Sequence, residues 1–216
     1  MLKKTIFFST LLLCHSSIFA ASAADKISYA LGYEVASQSP DEVIIDPFIQ
    51  GIRDQKAHKA NIYTEEELQA AYHELQKTLT VKQTQEAAKN FAQEVKFLKD
   101  NAKKSGVITT ASGLQYKIHH MGNGKQPNPA SIVTTHYKGQ LLDGTVFDSS
   151  YERGEAIEFP LNQVITGWTE GLQLLKVGSK ATLYIPAKLA YGQDGVQGTI
   201  PPNSTLIFDI ELINVK

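Results

Sequence analysis

Glycine and proline are distributed so unevenly along this chain that they divide it before any motif is read. Of the 15 glycines only Gly32 and Gly51 precede residue 106, and of the eight prolines only Pro40 and Pro47 do. Glycine and proline punctuate short strands and turns and interrupt helices. The first half therefore reads as helix and the second as strands joined by turns. The boundary falls at Ser105-Gly106, and the expected organisation is 1–23, 24–105 and 106–216.

Residues 1–23 read as a secretory signal peptide. Lys3 and Lys4 form a positive start, Thr5 to Phe19 is mostly apolar, and Ala21-Ser22-Ala23 is a small-x-small cleavage site. The expected location is the periplasm, with outer-membrane association or secretion as variants. Cys14 lies in a Leu-Leu-Leu-Cys run, but Leu13 is too large to precede a lipidated cysteine. Cys14 is the chain's one cysteine. Its removal excludes disulfides, thiol nucleophiles and cysteine-rich metal sites. The formal charge of −1 becomes −3 once Lys3 and Lys4 are lost. No basic excess remains to hold nucleic acid.

In the helical half, Ile27, Ala30, Leu31 and Val35 share one helix face. Asp46-Pro47 reads as an N-cap followed by a proline in the first turn. Thr64 with Glu67 forms a capping box, and no glycine or proline follows until Gly106. The expected helix, about 64–104, would be about 60 Å long at 1.5 Å per residue. Leu68, Tyr72, Leu75 and Leu79 line one side of it. Ala88, Phe91, Val95, Leu98 and Ala102 line another, half a turn away. The reading is that the two ends serve different partners, the far one partly free or leaning on something else. Three helical pieces make a thin core, and self-association would bury the remaining apolar surface.

In the second half, alternating runs at 114–118, 133–137, 180–185 and 205–212 read as strands. Asp143-Gly144 is a hairpin-turn dipeptide. Gln163 to Leu174 reads as a short helix with Trp168, Leu172 and Leu175 on one face. The fold class is α+β: an all-helical N-terminal part, then an antiparallel sheet carrying one short helix.

Leu142 to Ser150 looks like hydrolase material, with Asp143, Asp148, Ser149 and Ser150 crowding a tight turn. No Gly-x-Ser-x-Gly elbow surrounds the serines, and no histidine stands at a recognisable triad position. His119 and His120 are adjacent on a strand and point to opposite faces, so they do not chelate one ion, and His136 is expected to face solvent. The glycine-rich run 191–198 lacks the Lys-Ser/Thr of a phosphate loop. Tyr137, Phe147, Trp168, Tyr191 and Phe208 remain, and on pattern alone they read first as core, with Trp168 at the start of the expected helix the less ordinary core position.

Their order, taken with the segments around them, carries a resemblance. Val133 to Gly139, Asp143 to Ser150, Val164-Ile165-Thr166-Gly167-Trp168, Ala190-Tyr191-Gly192, Ile200-Pro201-Pro202 and Leu206 to Leu212 resemble the FKBP-type peptidyl-prolyl cis-trans isomerases from Gly106 to the C-terminus. Asp25 to Gly32, the long helix and Ser112 to Tyr116 are similar to the N-terminal dimerisation domain of the Mip-like (macrophage infectivity potentiator) bacterial FKBPs.

This resemblance implies a rotamase that assists the folding of envelope or secreted proteins, with no cofactor and no metal. It implies Trp168 as the floor of an apolar pocket, and Tyr137, Phe147, Val164, Ile165 and Phe208 as its walls. The Tyr191 hydroxyl and the Ile165 N–H would hold substrate carbonyls. Asp148 would be a fixed negative charge oriented by Arg153 and the Tyr137 hydroxyl, and Ile200 would close one side. Ser149 and Ser150 become turn residues. Ile157 stands where the family often has an aromatic, and Val196 and Thr199 also depart from the eukaryotic pattern; these bear on macrolide inhibitor binding. The implied partners are proline-containing unfolded or partly folded proteins and a second copy of the chain, paired through Ile27, Leu31 and Val35 around an open cleft. The alternative is a non-catalytic chaperone or binding module using the same pocket and cleft.

Overall fold

A computed structural model describes residues 21–216. Of the signal-peptide reading, 1–23, residues 1–20 lie outside the described residues. The chain forms two compact units that divide between Ala60 and Asn61.

The first unit holds α1 (Ala23–Gln38) and α2 (Ile45–Lys56). Ser22 and Asp25 form a capping box at the start of α1. Helix α2 begins slightly earlier than Asp46-Pro47 predicted: Ile44 is its N-cap, and Asp46 sits in the first turn, where a carboxylate suits the helix dipole. No residue of either helix is buried. Ile27 and Leu31 are 61% and 63% exposed.

The second unit opens with α3 (Glu65–Asn101). The predicted capping box is present: the Thr64 hydroxyl accepts from the Glu67 N–H at 3.2 Å, and the Glu67 carboxylate accepts from the Thr64 N–H at 2.8 Å. The strands follow: β1 (Val107–Thr109), β2 (Gln115–His120), β3 (Ile132–Gln140) and β4 (Val146–Ser149). After β4 come the one-turn α4 (Ser150–Arg153), β5 (Ile157–Pro160), α5 (Thr166–Leu172), β6 (Lys180–Ile185) and β7 (Leu206–Val215). The sheet runs β1-β2-β6-β7-β3-β4, and β5 pairs with the first half of β3; every pairing is antiparallel.

Alternation decides which side chains reach the core. Val133, Thr135, Tyr137 and Gly139 of β3 point inward, as do Leu206, Phe208, Ile210 and Leu212 of β7. They meet Leu172 and Leu175 beneath α5, both fully buried. Two glycines let α5 press onto β6. A Cβ at Gly167 would come within 2.4 Å of the Ile185 side chain, and one at Gly171 within 2.5 Å of Leu183. The helix is shorter than the predicted 163–174, because Leu161–Gln163 forms a separate 3-10 turn.

The far end of α3 leans on this sheet, but of the predicted stripe only Leu98 takes part. Phe91 and Val95 are 55% and 52% exposed. The rest of the packed seam lies one position away, on Asn90, Glu94, Phe97 and Asn101. Phe97 meets Tyr184 with ring centroids 5.9 Å apart. The Asn101 side-chain N–H donates to the Gln115 side-chain oxygen at 2.9 Å, and the Gln115 amide donates to the Leu98 carbonyl at 2.8 Å. Polar residues hold this seam, so an apolar periodicity does not find it.

Candidate active site

The site lies between α5, the inner faces of β3 and β7, and the long connection from β6 to β7. Ile165 ends an extended segment and its carbonyl accepts from the N–H groups of Trp168 and Thr169 at 2.9 and 3.1 Å, so α5 starts there. This places Trp168 in the first turn, beneath the cavity and only 4% exposed. Three rings hold it edge-on: Tyr137 at 5.1 Å and 87°, Phe208 at 5.0 Å and 90°, and Phe159 at 5.4 Å and 62°. Phe147 meets Phe208 in the same way at 5.5 Å. Such edge-to-face contacts set ring positions as well as burying area.

These rings border a cavity of about 550 Å³, lined also by Asp148, Gln163, Val164, Ile165, Tyr191, Val196, Thr199 and Ile200. That size fits a small ligand or a few residues of a peptide. Asp148 is the one ionisable carboxylate in the lining. Its carboxylate accepts from the Tyr137 hydroxyl at 2.5 Å and from the Arg153 guanidinium. Arg153 also donates to the Tyr137 oxygen at 2.8 Å and lies 5.6 Å from that ring's centre. Burial works against the Asp148 charge, but the bonds from Tyr137 and Arg153, with the cation's field, hold its carboxyl below the usual range. Burial, with the bond to Asp148, pushes the Tyr137 phenol up. Across the neutral range the site thus keeps a carboxylate and a protonated phenol.

The serines are committed elsewhere. Ser149 is the N-cap of α4, accepting from the Glu152 N–H at 3.4 Å. Ser150 is fully buried; its hydroxyl accepts from the Tyr137 N–H at 2.8 Å and lies 3.2 Å from the Tyr137 carbonyl. His136 is half-buried, not fully solvated as expected: its Nδ1 is 3.0 Å from the Ser150 hydroxyl, and its ring stacks on Tyr151 at 4.7 Å. A Ser–His contact therefore exists, but Ser150 lies outside the cavity lining and no reacting group could reach it.

A model described as the FKBP-type peptidyl-prolyl cis-trans isomerase matches residues 123–213. One described as the domain amino-terminal to it matches residues 24–118. A probable FKBP-type peptidyl-prolyl cis-trans isomerase FkpA of Neisseria meningitidis serogroup B is 42% identical over 215 residues, covering 90% of this chain and 75% of that protein. The chain belongs to the FKBP-type peptidyl-prolyl cis-trans isomerases. The FKBP-type 22 kDa isomerase of Escherichia coli K12 is 41% identical over 88% of this chain and 94% of its own. The outer membrane protein MIP of Legionella longbeachae is 42% identical over 89% and 85%. The crystal structure of FkpA from Escherichia coli matches with a TM-score of 0.69 and 38% identity, over 90% of this chain and 97% of that one.

Within this FKBP-type isomerase, nine of the residues singled out from the sequence line the cavity together: Tyr137, Phe147, Asp148, Val164, Ile165, Trp168, Tyr191, Ile200 and Phe208. Arg153 stands behind Asp148. Ile157 is outside the lining; on β5 it pairs with Thr135 and packs against the core. Phe159, two residues further along the same strand face, reaches Trp168 instead. Sequence reasoning passed over Phe159, although the alternation Ile157-Glu158-Phe159 carries the signal.

Proposed function

We propose that the aromatic cavity beside Asp148 binds a prolyl peptide and catalyses its rotation without a covalent intermediate. Amide resonance sets a barrier of ~18–20 kcal/mol and pulls charge onto the carbonyl oxygen. The twisted transition state has less of that charge separation. An apolar cradle favours it relative to water, whereas water favours the planar forms. Trp168 serves as the floor for the prolyl ring, with Tyr137, Phe147, Val164, Ile165 and Phe208 as walls and Ile200 closing one side. The Ile165 N–H, which donates to no protein group among the described residues, and the Tyr191 hydroxyl, on a side chain 42% exposed, hold substrate carbonyls. Asp148 acts as a fixed charge, oriented by Arg153 and Tyr137. One observation carries this reading: an aromatic cavity with one bonded carboxylate in it and both nearby serines spent on the backbone.

The expected pH dependence follows. Asp148 titrates below the ordinary carboxylate range and Tyr137 above the ordinary phenol range. Neither changes charge between about pH 5 and pH 9. The kcat/KM for a proline tetrapeptide, followed by a protease-free absorbance assay, should be flat over that interval. An inflection near about 6.5 would reveal a histidine acting as base and contradict the reading. The stability from the Asp148 ion pair should be full above the unfolded carboxylate pKa and lost as pH falls through the lower folded value.

The same reading divides labour along the chain. Residues 106–216 carry the pocket, and 24–105 carry dimerisation through Ile27, Leu31 and Val35. Envelope and secreted proteins held up by slow prolyl bonds, in the periplasm or at the outer membrane, are the substrates. The unburied helices of the first unit support the dimer.

A further inference from the structure

The connection between β6 and β7 supplies Tyr191, Val196, Thr199 and Ile200 to the cavity, yet it has little regular structure to hold it. Its two feet meet at one atom. Oε2 of Glu94, on α3, accepts from the Ala187 N–H at 2.6 Å and from the Thr205 hydroxyl at 2.9 Å. Glu94 is 8% exposed. A carboxylate so buried persists only where donors replace water.

The bond to Ala187 is transmitted to Tyr191. The Ala187 carbonyl accepts from the N–H groups of Ala190 and Gly192, both at 2.9 Å, on either side of Tyr191. Gly192 in turn accepts from the Asn203 N–H at 2.8 Å. Val196 and Ile200 exchange backbone bonds at 2.7 and 2.8 Å. Two further bonds from α3 hold the later part of the loop. The Asn90 amide donates to the Pro202 carbonyl at 2.8 Å, and the Asn203 amide donates to the Ala87 carbonyl at 3.1 Å. The helix that leads into the isomerase domain thus grips the loop walling its pocket at both feet and near Ile200.

We propose that Glu94 is a positioning residue for the prolyl pocket, setting Tyr191 and Ile200 through the Ala187 and Thr205 bonds. The proposal rests on the reading of those two as pocket residues. A helix acting only as a spacer needs an acceptor at none of these points. Reach of about 1 Å at a binding wall is enough to matter for rate.

The test uses the full mature chain. Glu94→Ala should lower kcat/KM on a proline tetrapeptide about tenfold at a temperature well below its melting point. Amide exchange across 188–200 should rise while the β3 and β7 amides stay protected. Glu94→Gln retains a carbonyl acceptor for the Ala187 N–H and should stay within about threefold of the parent. Should Glu94→Ala fail to fold, Asn90→Ala, which loses a single bond on a half-buried surface, should still lower kcat/KM and raise loop exchange. Ile200→Ala is measured in parallel. If Ile200→Ala is impaired while folded Glu94→Ala matches the parent within twofold, the positioning role is overturned and the pocket stands. If Ile200→Ala is also silent, the pocket reading itself fails, and the proposal with it. Equal loss in Glu94→Ala and Glu94→Gln would implicate the charge and also overturn positioning.

Discussion

Gly139→Val should cut kcat/KM on a proline tetrapeptide by at least about thirtyfold while leaving the strand intact. Gly139 is on β3, facing inward, opposite Asp148 and Phe208 on the adjacent strands. A Cβ there would lie 2.7 Å from both the Phe147 and Phe208 rings. Its backbone is not in the left-handed region, so valine suits the strand and the effect is purely one of space. Phe208 is buried and packed edge-on against Trp168 and Tyr137. Phe147 is only half-buried, so it should move first and take a wall of the pocket with it. Overpacking of this kind costs about 1–3 kcal/mol. At about 2–4 °C per kcal/mol for a chain of this size, melting should fall by several degrees, which calorimetry would record. Gly139→Ala should show the same direction at smaller size. Parental activity in folded Gly139→Val would mean that Phe147 and Phe208 do not shape the substrate site.

Leu31→Asp should separate two activities that the parent combines. Ile27, Leu31 and Val35 are 61%, 63% and 45% exposed, and α1 has no buried residue at all. Each such side chain contributes about 1.5–3 kcal/mol when buried, and an isologous interface counts each one twice. A carboxylate at its centre should leave a monomer in sedimentation. The pocket is remote in sequence and complete within one chain, so tetrapeptide activity should stay within twofold of the parent, about the scatter of such rate comparisons. Catalysed refolding of a protein limited by a prolyl bond should fall about tenfold or more, because on the proposed dimer a long unfolded chain would gain from two pockets on one particle. A parent chain that is monomeric at micromolar concentration would remove the basis for this expectation.

What the sequence made legible follows from which physical signals are local. The Thr64–Glu67 capping box needs only residues three apart and was readable. So were the strands whose apolar residues alternate, and the aromatic set whose order along the chain is specific to the family. The seam between α3 and the sheet was not, because its buried members, Glu94 and Asn101, are polar. Ala187 and Thr205, the partners of Glu94, lie far away in sequence, and Gln115, the partner of Asn101, is on a different element. A hydrophobic stripe drawn through Phe91 and Val95 therefore missed the packed face by one residue. Ile157 was placed by family position, whereas strand geometry gives the ring contact to Phe159. The steric demand at Gly139 appears only when β4 and β7 flank β3, a contact no local pattern encodes. The role of Ser150, satisfying the Tyr137 backbone from inside the core, likewise depends on the β3–β4 pairing.

Central to this account is catalysis without a nucleophile, and the serines test it most directly. The measurement is kcat/KM for tetrapeptide isomerisation by Ser149→Ala/Ser150→Ala, made below its melting point with folding checked by Trp168 fluorescence. Removing the Ser150 hydroxyl strands the Tyr137 N–H, so the variant should be less stable by about 1–3 kcal/mol. Its activity should nonetheless stay within a few-fold of the parent. Complete loss of activity in the folded variant would contradict the account.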